Sequence, residues 1–144
     1  MTGHAFQVLL DDEELRPALA AIRRALTPNG RFIFETRNPL VREWERWIPE
    51  NAVEETDSAG AVLKMSHEVN TPVDGERVSF TSTYTHPDWE QPEVSHSTLR
   101  FLDAESLSTF LADAGLTIEE QFGDWDRQPL TVTSPEIITI AARS

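Results

Sequence analysis

The feature that most constrains the fold is a predicted helix joined by a tight turn to an apolar strand. Leu15, Leu19, Ile22 and Leu26 recur at helical spacing and give the helix one apolar face. The turn Pro28-Asn29-Gly30 ends the helix, and RFIFET (31–36) follows at once. Because its apolar residues are continuous, this strand is typical of one buried on both faces in a parallel sheet. We therefore predict an α/β unit.

The start of this helix is predicted from two competing signals. Asp11 and Asp12 are suitable N-caps, since aspartate accepts a hydrogen bond from a free backbone N–H and stabilises the positive helix end. Pro17 is tolerated best in the first turn of a helix. We therefore predict that the helix begins at Glu13 or Glu14.

The remaining elements predict one domain over residues 1–144. Residues 61–101 contain three β-rich runs, the first two joined by the hairpin turn Pro72–Gly75, and predict an inserted antiparallel three-stranded meander. A second helix is predicted from Asp103 to Gly115, followed by the strands LTIEEQF and EIITIAAR.

The charge balance excludes several classes of partner. The chain of 144 residues has 25 acidic and 12 basic side chains and a net charge of −13, which repels nucleic acids and anionic membranes. It contains no cysteine and no apolar run near the roughly 20 residues that a membrane span needs. The expectation is a cytoplasmic protein with neither nucleic acid nor membrane as partner.

Five segments together resemble a known family. They are MTGHAFQVL, PNGRFIFETRNP, LRFLDAESLSTFLADAGL, GDWDRQPL and SPEIITIAAR. In this order and spacing they resemble the C-terminal portion of class I S-adenosylmethionine-dependent methyltransferases. The resemblance implies an α/β fold with an incomplete Rossmann-like methyltransferase sheet and an inserted meander. It also implies that Met1 corresponds to the end of an internal strand, so we expect an N-terminally truncated domain.

The same resemblance implies S-adenosylmethionine as the cofactor, yet the main binding motif is absent. Family members hold the cofactor with a glycine-rich turn and an acidic residue that accepts hydrogen bonds from the ribose. The six glycines are scattered along the chain, and no two lie close together. Glu35 ends a strand, but the resemblance places it after the fifth strand rather than at the ribose. We expect this chain alone to bind the cofactor poorly and to be inactive.

The resemblance implies that part of the active site remains near the N-terminus. Gly3, His4, Ala5 and Phe6 match the loop that passes the methyl donor, and an aromatic face suits a sulfonium cation. His4 is the candidate catalytic base because imidazole titrates near neutral pH. The alternative interpretation is a terminal histidine with no role.

Four further residues are candidates for substrate binding. Arg37 and Asn38 follow the predicted buried strand, at the carboxyl edge where α/β sheets bind ligands; the alternative is that they cap a loop. Trp44, with Trp47 nearby, and Trp125 are candidates for the walls of a cleft, or else for packing.

A metal site is not predicted. The three histidines in residues 61–101 have spacings that match no ligand motif. These are His67, His86 and His96.

Three functions follow from these observations. The first is methyl transfer to an unidentified small molecule. The second is a non-catalytic binding or assembly module that forms a homodimer, or takes a completing partner chain, through the open edge beside RFIFET, since an unpaired apolar strand edge promotes association. The third is a small ligand carrier with the meander as one wall of its pocket.

Overall fold

Two helices and two antiparallel sheets form a mixed α/β structure. The computed structural model describes residues 1–144. Residues 1–42 and 99–144 form one unit, and residues 43–98, inserted between them, form a second. The elements in chain order are α1 (Asp12–Ala25), β1 (Arg31–Arg37), β2 (Val53–Thr56), β3 (Val62–Val69), β4 (Arg77–Thr85), β5 (Glu93–Arg100), α2 (Ala104–Asp113), β6 (Leu116–Phe122) and β7 (Glu136–Arg143).

Helix α1 begins earlier than predicted. The Asp11 side chain accepts a hydrogen bond from the Glu14 backbone N–H at 3.0 Å, and the Glu14 side chain accepts one from the Leu10 N–H at 2.9 Å. The first bond satisfies one free amide of the first turn, and the second ties the residue before the N-cap to the same turn. Pro17 consequently lies in the second turn, so the predicted start at Glu13 or Glu14 is wrong. The capping bonds, and not the position of the proline, decide where the helix begins.

Strand β1 is buried mainly on one face. It pairs antiparallel with β7, which pairs with β6, so the sheet of the first unit has the order β1-β7-β6. Phe32 and Phe34 are buried, whereas Ile33 is 41% exposed. The prediction of a strand buried on both faces of a parallel sheet is wrong for this chain, because β1 has no parallel neighbour here.

The core lies on the Phe32 and Phe34 side of this sheet. The Phe34 ring stacks on Phe6 with centroids 4.4 Å apart and on Phe32 at 4.7 Å. Leucines of both helices complete the core and are almost fully buried; they are Leu15, Leu19, Leu107 and Leu111. The stacked rings fix the N-terminal loop against β1.

The second unit contains a four-stranded antiparallel sheet with the order β2-β3-β4-β5. Three of these strands are the predicted meander, and β2 is an additional strand. Its sequence, VEET, is exposed at all four positions and lacks the alternation of polar and apolar residues that identifies a strand. Neither helix of the structure is long and apolar enough to cross a membrane.

Candidate functional site

A buried carboxylate anchors the loop that contains the candidate base. Glu35 of β1 is 5% exposed, and its Oε1 accepts hydrogen bonds from the N–H groups of Gly3 at 2.5 Å and His4 at 3.1 Å. Gly3 and His4 have φ angles of 68° and 57°. Successive left-handed residues turn consecutive amides toward one anion. Glu35 therefore fixes the backbone at His4, a role that the sequence analysis missed.

The ring of His4 is held by a second carboxylate. Its Nε2 lies 3.0 Å from both Oε1 and Oε2 of Glu136, the first residue of β7. Burial raises the pKa of the Glu136 carboxyl above its ordinary value of 4.5, although the hydrogen bond with His4 and the charge of Arg37 act in the opposite direction. Glu136 is 132 residues away from His4, so no local sequence pattern identifies it.

Arg37 is placed beside this pair by strand register and by one buried amide. Arg37 lies opposite Glu136 in the β1–β7 ladder. The Gln7 side chain, 1% exposed, accepts hydrogen bonds from the Arg37 backbone N–H at 3.1 Å and from its Nη1 at 3.2 Å. Gln7 also donates to the Arg100 carbonyl at 3.2 Å. The structure thus brings together two predicted site residues, His4 and Arg37, and adds Glu35, Gln7 and Glu136.

The side chain of Asn38 forms hydrogen bonds with two backbone groups. It is 3% exposed, its Nδ2 donates to the carbonyl of Ser134 at 2.9 Å, and its Oδ1 accepts from the Leu40 N–H at 3.1 Å. These bonds tie the end of β1 to the segment before β7. These bonds are those of a residue that caps a loop. Substrate contact by Asn38 stays a prediction.

An apolar depression of about 260 Å³ adjoins Asn38. Leu40 and Val132 on its wall are 62% and 71% exposed. Leu130 and Ile137 also line it, and Asp103 is the charged residue on its wall. This depression lies at the carboxyl end of β1 and has the chemistry to receive an apolar part of a ligand.

The other predicted site residues have surroundings of their own, and the structure shows no hydrogen bond from their side chains to His4. Phe6 is buried in the core, and Ala5 begins a short 3-10 helix. Trp125 is 53% exposed and lines a second depression, of about 210 Å³, with Ile33 and Ile138. Trp44 belongs to the inserted unit, where it is half-buried.

The inserted unit has its own cavity, of about 560 Å³, lined by Trp47, Ile48 and His67 among others. The Nδ1 of His67 is 2.8 Å from the Ser82 hydroxyl. This cavity supplies the pocket that a ligand carrier would need, although no ligand class follows from its walls.

The other two histidines of this unit have separate partners. The Nε2 of His86 is 3.1 Å from an oxygen of Asp57, and the Nδ1 of His96 is 3.0 Å from the Thr81 hydroxyl. Hydrogen bonds from the Ala61 amide and from His86 lower the pKa of Asp57. No three histidine or acidic side chains are grouped as a metal ion would require.

Comparison with known proteins identifies the fold. No family model and no curated protein matches the sequence. Among solved structures, an S-adenosylmethionine-dependent methyltransferase from Clostridium acetobutylicum matches 99% of this chain with a TM-score of 0.77 and 14% identity. The CcbJ methyltransferase from Streptomyces caelestis matches 99% with a TM-score of 0.74 and 18% identity. CalS10, an amino pentose methyltransferase from Micromonospora echinaspora, matches 99% with a TM-score of 0.70 and 18% identity.

The match is to part of each of these proteins. This chain spans 56%, 58% and 57% of their respective lengths. The predicted fold class is confirmed: the chain has the α/β fold of about half of a methyltransferase. Similarity at this level of identity shows the fold alone.

Proposed function

We propose that this chain supplies the acceptor side of an S-adenosylmethionine-dependent methyltransferase active site. The observation that supports the proposal is that two carboxylates hold His4. Glu35 accepts a hydrogen bond from its backbone N–H, and Glu136 contacts its ring at Nε2. Because both the backbone and the ring of His4 are held, its imidazole has a defined orientation beside Arg37 and β1. In this proposal His4 removes a proton from the methyl acceptor.

The residues present do not fit the cofactor itself. The amides of Gly3 and His4 already donate to Glu35, and Phe6 is 3% exposed in the core. A side chain built at Gly3 would meet nothing within 4 Å, so this glycine does not mark a close approach of ligand to backbone. S-adenosylmethionine stays the cofactor of the proposed function, but we expect this chain alone to be inactive.

An amine on a sugar is the acceptor class that we propose. CalS10, which shares this fold, is an amino pentose methyltransferase. The carboxylates of Glu35 and Glu136 and the net charge of −13 favour approach of a cationic ammonium group. Removal of its proton by His4 leaves a neutral amine, whose lone pair is the nucleophile. The depression beside Leu40 and Val132 is suited to an apolar part of the same acceptor.

The test is an NMR titration of the isotopically labelled chain with glucosamine, with glucose as the matched ligand that carries a hydroxyl in place of the amine. We expect glucosamine to shift the signals of His4 and Arg37 and to leave His96, in the inserted unit, unchanged. Shifts that are equal for the two sugars, or that are absent at His4, would overturn the proposed acceptor site.

Calorimetric titration with S-adenosylhomocysteine tests the cofactor statement separately. We expect no binding at millimolar ligand, because the chain holds no glycine-rich turn and its candidate amides are occupied. Micromolar binding would show that the chain, alone or as an oligomer, rebuilds a cofactor site, and the proposed lack of activity would then be wrong.

A second candidate function is assembly through the outer edge of β1. Strand β1 is at one side of its sheet, and Ile33 on that strand is 41% exposed beside Trp125, which is 53% exposed. Part of this edge is covered. The Met1 ammonium group donates to the Ile33 carbonyl at 2.6 Å, and the Gln7 side chain accepts from the Arg37 N–H at 3.1 Å. We propose a homodimer as the form that buries the remainder, with a completing partner chain as the alternative. Cytoplasmic location stays a prediction.

A further inference from the structure

The contact between His4 and Glu136 determines which ring nitrogen carries a proton. A carboxylate only accepts hydrogen bonds. Nε2 lies 3.0 Å from both carboxylate oxygens, and a lone pair on Nε2 would face the lone pairs of Glu136. The neutral ring is therefore favoured as the tautomer with its proton on Nε2, which leaves the lone pair on Nδ1.

The other ring nitrogen is free to act. Nδ1 of His4 has no hydrogen-bond partner in the structure, and the side chain is 23% exposed. The backbone N–H of the same residue is bound to Glu35, which fixes the position of its Cα, and rotation of the ring about its side-chain bonds would break the contact with Glu136. The Glu136 contact therefore holds the ring in one orientation, and the Nδ1 lone pair is uncommitted in a side chain that is partly exposed.

We propose that Glu136 is the positioning residue of His4 and that Nδ1 is the atom that accepts the proton from the acceptor. This inference rests on the proposed function. In the step, the N–H bond of the acceptor's ammonium breaks, its electron pair stays on the acceptor nitrogen, and a new N–H bond forms at Nδ1. The imidazolium that results is stabilised by the Glu136 carboxylate through a charge-assisted hydrogen bond. The proton then leaves to solvent, because the side chain is partly exposed.

Neighbouring charges influence whether Glu136 is ionised. Glu35 and Arg37 on β1 both act on Glu136, with opposite signs. The positive Arg37, held by Gln7, favours the ionised form of Glu136. Ionised Glu136 is the form that accepts the hydrogen bond from Nε2–H, so Gln7 and Arg37 support this tautomer indirectly.

The experiment is nitrogen NMR of the histidine rings in the whole chain, which distinguishes a protonated from an unprotonated ring nitrogen. We expect His4 to show a protonated Nε2 whose proton exchanges slowly, and an unprotonated Nδ1. In Glu136→Ala we expect faster exchange of that proton and an increased population of the other tautomer. In Glu136→Gln, where the amide oxygen still accepts, we expect the Nε2 proton to be retained. His96 is the internal control and should not change in either variant.

The outcomes separate this inference from the function on which it rests. A proton on Nδ1 in the wild-type chain, or identical His4 signals in the wild type and Glu136→Ala, would overturn the inference whatever the chain binds. If the tautomer changes as expected and glucosamine fails to shift His4, the positioning by Glu136 stands while the proposed acceptor is wrong. Glucosamine shifts that persist at full strength in Glu136→Ala would overturn the claim that the orientation of the ring matters for the acceptor.

Discussion

At the scale of single residues, the amide of Asn38 illustrates how a buried side chain supports the site. Its side chain satisfies the Ser134 carbonyl and the Leu40 N–H in a buried position. In Asn38→Ala both groups lose their partner, so we predict a loss of about 1–3 kcal/mol in the free energy of unfolding. Urea denaturation measures it. Asn51→Ala is the control, because Asn51 also donates to a carbonyl, that of Arg46, but is exposed; its cost should stay below about 0.5 kcal/mol. Equal losses in the two variants would contradict the prediction.

The buried carboxyl of Glu136 predicts a pH dependence. Burial raises its pKa above 4.5 in the folded chain, so the folded state binds this proton more tightly than the unfolded state does. The resulting stabilisation is complete below 4.5 and is lost as the pH rises through the folded pKa. Glu136→Gln cannot ionise. We therefore predict that its stability relative to the wild type increases as the pH rises through this window, measured by urea denaturation at a series of pH values. A difference that is constant with pH would contradict this assignment.

The site could be predicted from the sequence only where a residue is next to a recognisable element. His4 and Arg37 were found because they flank segments that resemble a methyltransferase. Gln7 and Glu136 were missed, since each acts through a partner that is distant in the chain: 30 residues separate Gln7 from Arg37, and 132 separate His4 from Glu136. Glu35 was considered only as a ribose ligand, because nothing in its neighbours shows that it faces the N-terminal loop.

At the scale of elements, the start of α1 depends on its capping side chain. Asp11→Ala removes the acceptor of the Glu14 N–H, and we predict a loss of about 1 kcal/mol in the free energy of unfolding. Asp11→Asn is the matched control, since it removes the charge and keeps an oxygen that accepts the same bond. It should retain most of the wild-type stability in thermal and urea denaturation. A similar loss in both variants would mean that the charge near the helix dipole, and not the hydrogen bond, stabilises this end.

The elements themselves were mostly predictable, and the two exceptions have physical causes. Both helices follow from apolar periodicity, β1 follows from its continuous apolar run, and the end of α2 follows from Gly115, which adopts a φ of 74°. The apolar run in β1 predicts burial on both faces, but burial depends on neighbouring strands that local sequence does not reveal. Strand β2 was missed because its pairing with β3 holds it in place while its side chains remain exposed.

At the scale of the whole molecule, net charge opposes the proposed homodimer. Two copies of a chain with a charge of −13 repel each other. Contact through Ile33 and its apolar neighbours must offset this repulsion. Such a dimer differs from one held by ion pairs in its response to salt, because screening weakens repulsion between like charges and also weakens attraction between opposite charges.

We therefore predict that the dimer fraction increases with ionic strength, since the Debye length falls to about 10 Å at 0.1 M salt. Size-exclusion chromatography with light scattering, over a range of salt and protein concentrations, measures that fraction. Ile33→Ser should reduce it, because it removes apolar surface from the exposed face of the edge strand β1. Val132→Ser is the matched control, a β-branched apolar residue that is 71% exposed and lies outside the Ile33 depression; it should dimerise like the wild type. A monomer at every salt and protein concentration, or a dimer that dissociates as salt is added, would show that this apolar edge does not join two copies.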